Sequence, residues 1–128
     1  MKRLYQSIRT VACIMVATLL LIGCDAEKST AKKLVKDFLK ENLVNNDFKV
    51  MSFSALDSTK HITDSVFKVM RAEAAQDKAF KKDIQFDEGP KTKKLYYIRI
   101  KYRLDNDTCL QTFYLDDQLT RVVSFRNH

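Results

Sequence analysis

Three features of the sequence predict an α+β domain. Apolar residues recur three and four apart between Ala31 and Leu39, a second such run follows from Val66 to Phe80, and a two-residue alternation is sustained from Lys94 to Arg126. Helices come before the strand-rich end, so the two structure types are segregated and a parallel, doubly wound sheet is excluded. The expected architecture is an N-terminal amphipathic helix and a second helix packed on one face of a curved antiparallel sheet, with a C-terminal three-stranded meander.

The first helix is expected from about Ser29 to Val44, with Ala31, Leu34, Val35 and Phe38 as its apolar stripe and Leu39 beside it. Ser29 or Thr30 can cap its start, and Asn45-Asn46 can end it, because Asn tolerates the left-handed conformation that closes many helices. Lys32, Lys33, Lys36 and Lys40 fall opposite the stripe as a basic face, a candidate membrane-surface contact diluted by Asp37 and Glu41. Lys49 to Leu56 alternates, with Met51, Phe53 and Ala55 on one side, and predicts a strand that ends at Asp57-Ser58-Thr59-Lys60. A second helix is expected from about Thr63 to Lys81, carried by Val66, Val69, Met70, Ala74 and Phe80. Ile84 and Phe86 are candidates for an edge strand before the turn at Asp87-Glu88-Gly89-Pro90.

The meander is expected as Lys94 to Leu104, Thr108 to Leu115 and Leu119 to Arg126, joined by tight hairpins at Asp105-Asn106-Asp107 and Asp116-Asp117. In its first strand Tyr96, Ile98, Ile100, Tyr102 and Leu104 share a face that should be buried. Arg99, Lys101 and Arg103 share the other, which makes them a candidate docking face. In element order the domain resembles the cystatin-like and nuclear-transport-factor-like α+β group. The cystatin inhibitory loop, Gln-x-Val-x-Gly, has no counterpart: Gln118 is followed by Leu119 and Thr120, and no glycine comes after it.

Ahead of the domain lies a different kind of sequence. Lys2, Arg3 and Arg9 precede an uncharged run from Val11 to Ile22, the layout of a secretory signal peptide. At about 1.5 Å per residue that run covers roughly 18 Å, well short of the ~30 Å hydrocarbon core a transmembrane helix must cross. It closes on Leu21-Ile22-Gly23-Cys24, which resembles the lipobox of a bacterial lipoprotein precursor. The resemblance covers residues 1–24. It implies cleavage between Gly23 and Cys24 and a lipid on Cys24, dividing the chain into a signal peptide (1–23), a lipidated tether (24–30) and a single α+β domain (31–128). It also implies a place in the bacterial cell envelope, anchored to a membrane through Cys24 and facing away from the cytoplasm. Two acyl chains on one residue hold where a single chain is marginal.

Removing the signal takes three basic and no acidic residues, so the formal charge falls from +7 to +4. A mildly basic envelope protein points away from nucleic acid and toward phosphate-bearing lipids, an envelope protein or a cell-wall polymer as partner. Of the three cysteines, Cys13 leaves with the signal and Cys24 is modified. Cys109 remains alone, which excludes an internal disulfide, a thiolate zinc site and dithiol redox chemistry. His61 and His128 stand at no recognisable catalytic spacing. Asp105, Asp107, Asp116 and Asp117 lack the glycine and the terminal glutamate of a calcium loop. No catalytic residue, metal or cofactor is assigned. The expected function is that of a lipid-anchored binding or interaction module. The alternatives are an enzyme or small-ligand binder using an apolar cone in the domain, and a structural or self-associating lipoprotein.

Overall fold

The computed structural model describes residues 26–84, 86 and 94–128. Among them are two helices and five strands of one antiparallel sheet, an α+β arrangement as expected: α1 (26–42), β1 (Phe48–Phe53), β2 (Asp57–Thr59), α2 (Asp64–Gln76), β3 (Leu95–Leu104), β4 (Asp107–Leu115) and β5 (Val122–Asn127). The sheet runs β1-β3-β4-β5, with β2 also paired to β3, and is open. No helix among the described residues is long and apolar enough to cross a membrane. The signal peptide, the lipobox with Gly23 and Cys24, and the Gly89-Pro90 turn lie outside the described residues.

α1 begins earlier than expected. Ser29 and Thr30 sit inside it, and the Thr30 hydroxyl donates back to the Ala26 carbonyl at 2.8 Å instead of capping the helix. Ala31, Val35, Phe38, Leu39 and Leu43 are buried against one face of the sheet, where Ile98, Ile100, Tyr102, Leu104, Phe113, Leu115 and Phe125 meet them. The middle of that core is aromatic. Phe80 and Phe125 stack with centroids 4.6 Å apart, Phe113 and Phe125 at 5.3 Å, and Phe38 meets Phe113 edge-on at 5.6 Å. Such pairs add about 0.5–1.5 kcal/mol each beyond the area they bury.

β1 and β2 form one broken edge beside β3. β1 pairs with its second half and β2 with Leu95 to Tyr97. Across the break Ser54 N–H donates to the Arg99 carbonyl and the Ser54 hydroxyl accepts from Arg99 N–H, both at 2.9 Å, so a side chain continues the ladder. A bulge between Val50 and Ser52 shifts the alternation. Phe48, Val50 and Phe53 therefore pack on the core, while Met51, expected on the apolar side, is 55 % exposed. β2 falls where the sequence predicts the polar end of a strand. Its residues have low strand preference, and pairing with β3 alone makes them a strand.

α2 is shorter than predicted and turned differently. The Thr63 side chain caps it by accepting from Val66 N–H, and it ends at Asp77. Its buried stripe is Phe67, Met70 and Ala74, whereas Val66 and Val69 are exposed. Phe80 is buried but lies past the helix, on a short bridge to Leu43. The helices also do not share one face of the sheet. Phe67 and Met70 pack with Leu95, Val123 and Tyr114, which belong to the face opposite α1, while Ala74 joins the α1 core. α2 thus wraps the β5 side. The consecutive apolar residues Leu95-Tyr96 and Val122-Val123 are the sequence trace of a sheet end covered on both faces.

The β3–β4 hairpin closes on a two-residue loop, Asp105-Asn106, with Leu104 opposite Asp107. Asp105 takes a φ of 54°, the positive value a loop of this length demands at its first position. The β4–β5 connection is not tight. It runs from Asp116 to Arg121, folded around the Asp116 carboxylate, which accepts from the amides of Thr120 and Arg121 at 2.7 and 2.9 Å. Leu119 is forced to φ 55° in it, a strained value for a residue with a branched side chain. Ile84 and Phe86 are half-buried against the core and belong to no strand.

Candidate functional site

The sheet face opposite α1 is divided. Its Leu95–Val123 end lies under α2, and the remainder is open. Alternation on β3 sends Arg99, Lys101 and Arg103 onto this open part, where all three are exposed, as the sequence predicts. Register brings others beside them. Arg126 shares a row with Arg99 across Thr112, Lys49 stands opposite Arg103, and Ser52 and Leu110 flank Lys101. Lys49, Arg126 and His128 had not been assigned to the site. Their place follows from strand register, which no local pattern specifies.

Thr112 is the pivot of this face. It is only 3 % exposed, with the ring of His128 on it at 2.6 Å between Nε2 and Oγ1. The His128 backbone N–H donates to the Leu110 carbonyl, which fixes the ring there. Lost hydration, then the positive charges of Arg99 and Arg126, hold the His128 pKa below its ordinary 6.5. Among the described residues none of Lys49, Arg99, Lys101, Arg103 and Arg126 has a carboxylate partner. At the Tyr97 end the tyrosine hydroxyl donates to Asp57 at 3.2 Å, and the carboxylate beside it raises the Tyr97 pKa.

The core side holds no comparable chemistry. Its buried polar groups satisfy one another: Tyr102 O–H donates to Gln111 Oε1 at 2.9 Å, Gln111 Nε2 to Asn127 Oδ1 at 2.7 Å, and Asn127 Nδ2 to Asp77 Oδ2 at 3.0 Å. The Tyr102 hydroxyl therefore sits inside the core, and burial first of all raises its pKa. Tyr96 does reach outward, accepting from Lys94 Nζ at 3.2 Å. Cys109 lies beside Tyr102, half-buried, with its thiol pKa pushed up by burial. That disfavours the reactive thiolate.

Of the four α1 lysines, Lys33, Lys36 and Lys40 are exposed and Lys32 is half-buried, and the Lys32 and Lys36 ammonium groups lie 5.5 and 5.9 Å from the Phe53 ring centre. The other flank is acidic. Asp37 and Glu41, with Asp83 and Arg121, border a surface cleft of about 530 Å³. A smaller cleft of about 280 Å³ places the first turn of α1 beside Tyr96 and Leu119. No group of three or more His, Cys, Asp or Glu side chains among the described residues could hold a metal. Asp105 and Asp116 instead lock turns, Asp105 by accepting from Asn45 Nδ2. His61 is exposed in its loop.

Compared with known protein families, curated proteins and solved structures, the chain matches none.

Proposed function

We propose that this chain is a small lipid-anchored lipoprotein of the bacterial cell envelope, held by a lipid on Cys24, and that it acts as a binding module whose docking surface is the open basic face of the sheet. The observation that carries the binding role is the contrast between the two sheet faces. One is covered by α1 and by the packed rings of Phe38, Phe80, Phe113 and Phe125, with no carboxylate among its described core residues. The other leaves five cations in neighbouring rows without carboxylate partners among the described residues. None of the described core residues is an acid whose pKa burial could raise to that of a proton-transfer group. Like charges on adjacent strands repel, so their juxtaposition is a cost to the isolated fold that an anionic partner would relieve.

The anchor and the face are compatible in direction. The first described residue of α1, Ala26, comes two after Cys24 in sequence and lies at the sheet end where Tyr96 lies. At about 3.3 Å per residue β3 then carries Arg103 roughly 23 Å farther along the sheet. The docking face would extend away from the headgroups, toward whatever lies beyond them.

Intact-mass measurement of the protein from envelopes, combined with sedimentation in a nonionic detergent, tests both halves. The expected result is a mature chain beginning at lipidated Cys24 that sediments with a larger partner, and a variant with Arg99→Gln, Lys101→Gln and Arg103→Gln that sediments alone. An unmodified Cys24 contradicts the anchor. Identical sedimentation of both proteins contradicts the docking face.

A further inference from the structure

We infer that the open face of the sheet binds a linear, phosphate-bearing polymer. This deepens the reading of that face as the docking surface and does not depend on the lipid. Three observations select the partner's chemistry. The first is layout: Arg99, Lys101 and Arg103 follow one another at every second position of β3, about 7 Å apart, with Arg126 and Lys49 in register on either side. This is an extended track. Neither of the two clefts described includes any of these residues.

The second is composition. Three of the five cations are guanidinium groups, whose planar fork of donors matches the oxygens of a phosphate, and the exposed hydroxyls of Ser52 and Thr108 stand beside Lys101 and Arg103 as further donors. The third is the charge at its centre. The core of a protein–protein interface is depleted in charge and enriched in apolar and aromatic side chains. Here the centre is cationic, and Leu110, 41 % exposed, stands between Lys101 and His128. A bilayer is the weaker fit because a twisted sheet meets a flat surface along only part of its length, whereas a flexible chain can follow the track.

The test titrates the full chain, in nonionic detergent, with short polyphosphate, with poly-glutamate of similar charge and with vesicles containing anionic lipid. Polyphosphate should bind, and raising salt from about 50 to 200 mM should weaken it roughly a hundredfold, as expected when about five cations release counterions. Replacing Arg99, Arg103 and Arg126 by Gln should abolish most of that affinity, and Lys49→Gln with Lys101→Gln, two exposed positions that support nothing inside, should weaken it independently. Lys68→Gln with Lys81→Gln, which removes the same charge elsewhere, should leave it unchanged. Equal binding of poly-glutamate would replace the phosphate polymer with an acidic protein segment. Vesicle binding lost with the same face variants would replace it with a membrane. Polyphosphate binding that depends on Lys68 and Lys81 as much as on Lys49 and Lys101 would overturn the face altogether.

Discussion

Arg99 and Arg126 stand in one row of the sheet on either side of Thr112, both close enough to His128 to depress its pKa. Two guanidinium groups beside an imidazole do not stabilise one another. The arrangement makes sense as a surface kept for an anion.

His128 consequently reports on the row. Its imidazole should titrate below the ordinary 6.5, and Arg99→Gln or Arg126→Gln should raise that value, as followed by proton NMR across pH 4 to 8. Because the folded pKa is the lower one, the unfolded chain binds more protons between the two values. Stability should therefore fall as pH drops from 6.5 toward the folded pKa and level off below it. An unchanged titration in both variants would place the arginines too far away to matter.

Ile100 and Lys101 are neighbours in sequence with opposite surroundings, one wholly buried and one exposed. Ile100→Ala should cost about 2–5 kcal/mol in denaturant melts, and Lys101→Ala no more than about 0.5. Equal losses would mean that β3 is inverted.

The Tyr102–Gln111 hydrogen bond is buried, and removing its donor strands an acceptor. Tyr102→Phe should destabilise by about 1–3 kcal/mol, the desolvation cost of the orphaned Gln111 oxygen. A loss below the precision of thermal melts would show that the Gln111 side chain finds another donor.

Ser124 offers the opposite case. It is fully buried and its hydroxyl has no hydrogen-bond partner among the described residues. Ser124→Ala should leave stability unchanged or raise it by about 1 kcal/mol. Clear destabilisation would reveal a partner for the hydroxyl.

Much of this architecture was legible from periodicity. From Ile98 to Leu104 apolar and basic residues alternate without a break, so Ile98, Ile100 and Tyr102 declare their face without help from the rest of the chain. Elements defined by pairing were not legible. Asp57-Ser58-Thr59 has no strand character of its own, and the bulge that turns Met51 outward is a matter of register with Lys101. In α2 the regular spacing of Val66 and Val69 competed with that of Phe67, Met70 and Ala74. The larger aromatic won because Leu95 and Val123 offer it a place.

The candidate site divides along the same line. Arg99, Lys101 and Arg103 lie on one strand and could be read from its alternation. Lys49 and Arg126 enter through neighbouring strands, and the role of Thr112 as the buried floor beneath His128 depends on three strands meeting. On α1 the helical spacing puts four lysines on the polar side, whereas the contact of two of them with Phe53 depends on a separate strand.

The central claim, that the open basic face is occupied by a partner in the envelope, is tested most directly by amine labelling of the protein in intact envelopes and after purification in nonionic detergent. Lys49 and Lys101 lie on the face, whereas Lys68 and Lys81 are exposed elsewhere. Lys49 and Lys101 should react several-fold more slowly in envelopes than in detergent, with Lys68 and Lys81 unchanged. Equal reactivity of all four lysines in both settings would contradict the account.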